Sequence, residues 1–317
     1  MNYLLFIISL IKLIQISRQS FHSSKSLSRS IFSRELTSAG YSTLPLQRAA
    51  PPWVELCNTG QKQSPIDFPT RFSQLNSTAV VQILSVSYLP VTSKLLILDN
   101  WKFYGNGTRI GSIKVKKNLI TYSYILTEFV ITSRSEHSFG GKYGDIELQL
   151  VHTKDKNWLV SQEILADPDD GNDILIISVI FNTTSTAKTN INFERLNIAT
   201  NASMNNFNLN IYPPIGKPFF YYIGSITRPN CTENVNWIVV NEITEITQKQ
   251  LSTLQNWFSN NYKPPINNRV TQKLNNRIIY YQYYPFQINY NTDSLSIGTH
   301  LIVRIALLYF IAILCYL

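Results

Sequence analysis

Short runs of β-branched and aromatic residues recur through the middle of the chain, separated by Gly, Pro, Asn or Ser. Runs of this length and composition are typical of β-strands. The sequence therefore predicts strands at 80–89, 94–98, 112–116, 120–130, 145–152, 174–181, 219–226 and 236–240. That number of strands suits one large mainly-β domain.

Two of these runs indicate how their strands are buried. The run 174–181 is almost continuously apolar, which predicts a central strand covered on both faces. The run 145–152 alternates, so its side chains divide between two faces, with Glu147, Gln149 and Val151 on one and Leu148, Leu150 and His152 on the other.

One segment breaks the strand period. Its apolar residues recur at helical spacing, and they are Ile243, Ile246, Leu251, Leu254, Trp257 and Phe258. We expect a surface helix here, with the apolar stripe packed on the sheet.

The charge is concentrated at the amino-terminal end. The chain of 317 residues is 44% hydrophobic and only 15% charged, with a formal charge of +9. Residues 1–50 hold six Lys or Arg against the single acid Glu35, so the remainder is only mildly basic. No basic stripe is interleaved with aromatic residues, and we expect no nucleic-acid partner.

The amino-terminal segment reads as a targeting signal. Residues 3–11 form an apolar run of signal-peptide length, which predicts a secretory signal peptide over residues 1–20. In an alternative interpretation the leader is longer and extends to about residue 50. The alternative is a mitochondrial transit peptide, because residues 17–48 are rich in Ser and Arg and poor in acids.

The carboxyl-terminal segment reads as an anchor. Residues 301–317 are apolar except for Arg304, and small and polar residues precede them within a linker over 282–300. This order is typical of a glycosylphosphatidylinositol signal, whose apolar tail is removed. The alternative is a short C-terminal helix retained in the membrane.

The cysteines fit an oxidising compartment. If the tail is removed Cys315 leaves with it, and Cys57 and Cys231 remain as an even pair, consistent with one disulfide. Possible N-glycosylation sequences support secretion only weakly in a chain this rich in Asn, Ser and Thr; they begin at Asn76, Asn106, Asn182, Asn201 and Asn230.

Four blocks of residues, read together, resemble the α-class carbonic anhydrase family. In chain order they are Trp53, Cys57, Gly60 and Gln63-Ser64-Pro65-Ile66-Asp67; Ser135-Glu136-His137, Gly141-Lys142 and Glu147-Leu148-Gln149-Leu150-Val151-His152; Tyr222, Gly224-Ser225-Ile226-Thr227, Pro229, Cys231-Thr232-Glu233 and Trp237; and Asn267-Asn268-Arg269, Gln272, Leu274-Asn275 and Arg277. The resemblance covers residues 52–281. It implies a single mainly-β (α+β) domain, with a large central, mostly antiparallel twisted sheet and short peripheral helices, and it implies a disulfide between Cys57 and Cys231.

Active members of this family hold zinc with three histidines, but here the corresponding positions are Val130, Thr132 and Gln149. Valine has no donor atom, threonine is a poor neutral ligand, and an amide oxygen suits harder cations than zinc. The position of the proton-shuttle histidine is taken by Thr108. We therefore expect no zinc, no other cofactor and no catalytic residues.

A different alignment does not restore the site, because the chain contains only four histidines: His22, His137, His152 and His300. His22 lies in the leader and His300 near the anchor. Strand parity places His152 on the face opposite Glu147 and Gln149. We interpret His137 and His152 as hydrogen-bonded core histidines.

At the other positions that correspond to the family's active-site pocket, some residues are retained and others are replaced. Glu136 and Thr227 match the pair that orients the zinc-bound hydroxide in the family, and Glu147 matches an acid that orients a ligand histidine. Arg228 and Asn230 stand where the family usually has Thr and Pro. Arg228 is a candidate anion-binding residue, with an ion-paired arginine as the alternative, and losing that proline predicts a remodelled loop.

The sequence thus predicts a carbonic-anhydrase-like pseudoenzyme that acts as a secreted or cell-surface binding protein for an extracellular protein or glycan, attached to the membrane by a lipid anchor or a C-terminal helix. One alternative is a divergent carbonic anhydrase with residual or non-standard metal-dependent activity that uses Glu136, Glu147 and Thr227. Another is a structural subunit of a mitochondrial membrane assembly.

Overall fold

A computed structural model gives the fold of the protein. It describes residues 55–282 except for 71–74, 76–80, 94–95, 99–101, 107–109, 165–166, 170, 201 and 262–267. The chain divides into compact units over residues 1–282 and 283–317, and the second unit lies wholly outside the described residues. The predicted leader, the linker beyond residue 282, the anchor segment and Thr108 also lie outside them. Among the described helices, none is long and apolar enough to cross a membrane.

Fourteen strands and four α-helices make up the described part of the chain. The strands are β1 (Asp67–Phe68), β2 (Val81–Tyr88), β3 (Leu96–Leu98), β4 (Lys102–Asn106), β5 (Gly111–Lys117), β6 (Ile120–Ser133), β7 (Ser138–Phe139), β8 (Lys142–Tyr143), β9 (Ile146–Lys154), β10 (Ile174–Thr183), β11 (Phe219–Ser225), β12 (Glu233–Val240), β13 (Thr244–Ile246) and β14 (Tyr280–Gln282). The helices are α1 (Glu55–Thr59), α2 (Lys156–Ser161), α3 (Ile191–Glu194) and α4 (Gln248–Asn261), with a 3-10 helix at Ile198–Thr200.

Eleven of these strands form one large mixed sheet. Its main path runs β14-β11-β12-β10-β9-β6-β4-β3, with β13 beside β10, β5 beside β6 and β2 beside β5. Only β10–β12 and β10–β13 are parallel among the described pairs of this sheet. The remaining strands, β1, β7 and β8, form a separate three-stranded sheet. The predicted mainly-β fold with a mostly antiparallel sheet is therefore confirmed.

The hydrophobic core covers the middle of the large sheet. Strand β10 lies between β9 and β12, and its eight central residues are buried, as its almost continuously apolar run predicts. One cluster of buried side chains packs on a single face of this region, and it includes Ile176, Ile180, Phe220, Tyr222 and Trp237.

The predicted helix over 243–258 is wrong at its beginning. Helix α4 starts at Gln248, and Ile246 instead pairs with Thr183 in β13. The cause is a reciprocal cap, because the Thr247 hydroxyl accepts a hydrogen bond from the Gln250 backbone N–H while the Gln250 side chain accepts one from the Thr247 N–H. The cap fixes the first turn, so the preceding apolar residues extend the sheet.

A buried ammonium group fixes the loop that leads into β10. The Lys154 side chain is fully buried, and its Nζ lies 2.7 Å from an Asp167 carboxylate oxygen and 3.5 Å from one of Asp173. It also donates a hydrogen bond to the Asp169 carbonyl at 2.8 Å. Lys156 binds the same Asp173 at 2.9 Å, but 65% of its side chain is exposed. Of these two lysines, Lys154 is therefore the one whose side chain is shielded from solvent.

Candidate functional site

Three neighbouring strands present a row of side chains on one face of the sheet. In the register of β6 and β9, Val130 lies opposite Gln149 and Thr132 lies opposite Glu147. On the other side of β9, Ser178 of β10 lies opposite Gln149. Side chains directly opposite each other share a face, so the three positions aligned with zinc ligands come together, as the alternation along these strands predicts.

Glu147 is the most heavily hydrogen-bonded group of this site. Its Oε1 accepts from His137 Nδ1 at 2.9 Å and from the Ser178 hydroxyl at 2.8 Å, and its Oε2 accepts from the backbone N–H groups of Glu136 and His137. Burial alone would raise the pKa of Glu147, but the facing His137 and these donors hold it below the usual range. The side chain is therefore an anion at neutral pH despite being fully buried.

Gln149 connects this carboxylate to a second one. Its Nε2 donates to Glu136 Oε2 at 2.7 Å and to Glu147 Oε1 at 3.0 Å. Glu136 also accepts from the Arg269 backbone N–H at 2.9 Å. A primary amide has two N–H donors, and here each is directed at a different buried carboxylate. The Gln149 side chain thus partly compensates two buried negative charges that lie within one site.

The two described histidines occupy separate networks. His137 is hydrogen-bonded through Nδ1 to Glu147 and through Nε2 to the Tyr222 hydroxyl, which is 2.8 Å away. The Tyr222 hydroxyl also lies 2.8 Å from the Ser64 hydroxyl. Gly224 permits this approach, because a Cβ at that position would collide with the Ser64 hydroxyl. Both ring nitrogens of His137 are therefore already engaged by the protein.

His152 lies in a different environment. Its Nε2 is 2.7 Å from the Tyr88 hydroxyl and its Nδ1 is 3.1 Å from the Leu175 carbonyl oxygen. Burial lowers the pKa of His152 to about 4. It is a neutral, hydrogen-bonded core residue, and it points away from Glu147 and Gln149.

The donor set at the three aligned positions is poor in metal-binding atoms. Val130 offers only carbon, Thr132 offers a hydroxyl, and Gln149 offers only an amide oxygen, because its nitrogen donates to Glu136 and Glu147. Among the residues that the structure describes, the fully buried Thr132 hydroxyl has no hydrogen-bond partner. Within the described ranges, no group of three or more His, Cys, Asp or Glu is arranged to hold a metal ion. These residues do not fit a zinc ion.

Arg228 lies at the outer end of the same row. Its Nη2 is in contact with Glu128 Oε1, and the two side chains are 18% and 16% exposed. The guanidinium is therefore ion-paired, the alternative left open by the sequence. Glu128 was not identified from the sequence as the partner of Arg228. It stands two residues before Val130 and therefore shares its face of the strand, which was the available signal. Thr227, beside Arg228, is only 2% exposed.

The loop that carries Arg228 keeps a compact course. A hydrogen bond of 2.7 Å from the Cys231 N–H to the Arg228 carbonyl closes a turn, and the peptide bond between Pro229 and Asn230 is cis. The remodelled loop expected from the lost proline stays a prediction.

A disulfide secures this loop to the beginning of the domain. Cys57 and Cys231 are bonded across 174 residues, with their Cα atoms 5.1 Å apart, so the predicted pairing is confirmed. Beside it, the Arg269 guanidinium donates to the Cys57 and Ser64 carbonyls, both at 2.7 Å. Burial lowers the pKa of Arg269 to about 10, so it remains a cation at neutral pH.

The large mixed sheet, its few short helices and the Glu–His–Tyr network on one face define a protein of the carbonic anhydrase fold. The sequence profile of the eukaryotic-type carbonic anhydrase family matches residues 49–283. The chain belongs to that family.

Individual relatives agree with this assignment. A carbonic anhydrase of Nostoc sp. is 28% identical over 222 residues, which cover 69% of this chain and 78% of the relative. Alpha carbonic anhydrase 4 of Arabidopsis thaliana is 26% identical over 238 residues, covering 73% and 78%.

Solved structures show the same fold. Carbonic anhydrase Cah3 from Chlamydomonas reinhardtii, in complex with acetazolamide, matches with a TM-score of 0.57 at 19% identity, over 75% of this chain and 98% of that one. Dioscorin complexed with ascorbate matches with a TM-score of 0.55 at 22% identity, over 74% and 92%.

Proposed function

We propose that this protein is a carbonic-anhydrase-like pseudoenzyme that keeps the family's fold and acts by binding. The observation that carries the proposal is the set of side chains at the aligned ligand positions, Val130, Thr132 and Gln149. Between them they offer no imidazole, and the Gln149 amide hydrogen-bonds to Glu136 and Glu147.

The energetic consequence is large. Carbonic anhydrase is itself the reference case for this chemistry, in which zinc lowers the pKa of bound water from 15.7 to about 7. Losing a shift of about 9 units costs on the order of 12 kcal/mol of hydroxide activation, at 1.36 kcal/mol per unit. Glu136 and Thr227 orient a hydroxide in the family but do not generate one, so the retained pair does not replace the metal.

The test compares the wild-type chain with a restored ligand set. The purified protein is equilibrated with zinc, dialysed, and assayed for bound metal and for hydration of carbon dioxide. We expect the wild type to retain no stoichiometric zinc and to give no fast hydration, whereas Val130→His/Thr132→His/Gln149→His gains zinc. Stoichiometric zinc or fast hydration in the wild type contradicts the proposal and favours the divergent enzyme.

A binding role outside the cell is the second part of the proposal. The buried Cys57–Cys231 disulfide supports an oxidising compartment, because such bonds are rare in the cytosol. We propose a secretory route through the amino-terminal signal and attachment at the cell surface through a lipid anchor. Mass spectrometry of the mature termini decides this. A glycolipid-modified end near Ser296 supports it, and a cleaved transit peptide with a retained tail favours the mitochondrial assembly.

A further inference from the structure

We propose that Glu128 and Arg228 form a binding site for a neutral saccharide that presents two adjacent hydroxyl groups. The inference rests on the proposed function, because it assigns the ligand of the same site once the metal chemistry is gone. Three observations carry it: the position of the pair, the fixed loop behind Arg228, and the hydrogen-bonding groups that the pair leaves unused.

The pair lies where the row of site residues reaches solvent. From Glu128 to Thr132 the register of β6 against β9 is continuous, so Glu128, Val130 and Thr132 share one face. Val130 and Thr132 are fully buried, whereas the side chains of Glu128 and Arg228 are 16% and 18% exposed. A ligand therefore meets the charged pair before the buried residues.

Backbone hydrogen bonds fix the turn that contains Arg228. The Cys231 N–H donates to the Arg228 carbonyl at 2.7 Å, and the Ile226 N–H donates to the Thr232 carbonyl at 2.9 Å. The disulfide at Cys231 then ties this turn to Cys57. A group held in place before binding loses less conformational entropy when a ligand arrives, so this turn favours recognition by Arg228.

The pair uses only part of its hydrogen-bonding capacity. A guanidinium has five N–H donors and a carboxylate has two acceptor oxygens, but the single contact between them joins Nη2 of Arg228 to Oε1 of Glu128. For the part of the chain that the structure describes, Glu128 Oε2 and the Arg228 Nε and Nη1 groups have no protein partner. Free acceptors and free donors therefore lie side by side.

The charge of the pair selects the class of ligand. Because the carboxylate compensates the guanidinium, the pair has no net charge to attract a simple anion or cation. A hydroxyl group both donates and accepts. One hydroxyl of a vicinal diol can donate to Glu128 while its neighbour accepts from Arg228, so a neutral sugar satisfies both partners.

The experiment uses the purified full chain on an array of immobilised neutral and sulfated oligosaccharides, followed by calorimetric titration with the strongest neutral saccharide. We expect binding to a neutral saccharide. Glu128→Gln and Arg228→Gln should each weaken it by about tenfold or more, because each removes a hydrogen bond between the saccharide and a charged group. Glu242→Gln is the matched control, because it alters an ion pair with Lys217 that is about half exposed, and it should leave the affinity unchanged.

Three results would overturn the inference. The first is no binding to any neutral saccharide. The second is binding confined to sulfated saccharides, lost in Arg228→Gln and strengthened in Glu128→Gln, which would identify an anion site. The third is an equal loss in Glu242→Gln. Thermal unfolding of each variant verifies that it is folded. Zinc measured on the same preparation separates the two ideas, because a zinc-free protein that binds no saccharide contradicts only this inference.

Discussion

Replacing Gln149 by leucine tests whether its amide compensates the buried carboxylates. Gln149, Glu136 and Glu147 are each at most 2% exposed, so water does not readily substitute for a lost donor. Leucine is apolar and similar in shape, and it removes both hydrogen bonds, of 2.7 Å to Glu136 and 3.0 Å to Glu147. The change therefore leaves a buried charge with fewer partners, which is costly.

Each carboxylate loses one hydrogen bond and keeps others. Glu147 keeps four other donors, from His137 Nδ1, the Ser178 hydroxyl and the two backbone N–H groups. Glu136 keeps the donor from the Arg269 backbone N–H, and each lost hydrogen bond to a charged group contributes about 1.5–3 kcal/mol. We therefore expect Gln149→Leu to lower the free energy of unfolding by about 3 kcal/mol, from the two lost hydrogen bonds together.

The assay is urea unfolding of the wild type, Gln149→Leu, Glu136→Gln and the double variant, with tryptophan fluorescence as the signal. The cycle of four proteins isolates the interaction between residues 136 and 149. We expect the double variant to lose clearly less than the sum of the single losses. A Gln149→Leu protein within about 0.5 kcal/mol of the wild type, a range normal for surface substitutions, would refute the reasoning.

Three further predictions concern other parts of the domain, and urea unfolding measures each. The pKa of His152 is about 4 in the folded protein, against 6.5 for an unperturbed histidine. Below pH 6.5 the unfolded chain therefore binds more protons than the folded protein does. The free energy of unfolding falls as a result when the pH decreases toward 4. Between pH 7 and pH 5 this residue should cost about 2 kcal/mol, and a His152→Gln variant with an unchanged pH dependence would contradict it. Lys154→Met should destabilise by about 3 kcal/mol because Asp167, whose side chain is 14% exposed, loses its ammonium partner, while Asp173 keeps Lys156. The control Lys156→Met should stay within about 0.5 kcal/mol, and equal losses would disprove the role of burial. Cys57→Ser/Cys231→Ser should lose about 4 kcal/mol, since the bond closes a long loop, and an unaffected double variant would show that the bond adds no stability.

The strands of the sheet were predictable because each is a local pattern. The run 174–181 is almost continuously apolar because β10 is covered on both faces, and the alternation over 145–152 follows from one side chain on each face in turn. Strand β4 was not predicted, and neither were the two-residue strands β1, β7 and β8 or the three-residue strands β13 and β14. Strands this short contain too few residues to show a period.

The alternation of side chains along the strands predicted which residues share the face of the candidate site. It did not predict which residues from distant parts of the chain contact them. Alternation places Gln149 with Glu147, and the family resemblance aligns Val130 and Thr132 with them. No sequence pattern pairs Ser178 with Glu147, which lies 31 positions away, or Arg228 with Glu128, which lies 100 positions away. Such contacts depend on which strands become neighbours.

The sequence by itself determined the class of the domain, the faces of its longer strands and the shortage of imidazoles, because these are properties of residue type and spacing. Only the tertiary structure decided that the Gln149 amide joins two carboxylates, that Glu128 neutralises Arg228, and that Lys154 is buried among aspartates. Electrostatic partnership depends on distance and on exclusion of water, and both are set when strands far apart in the chain are brought side by side.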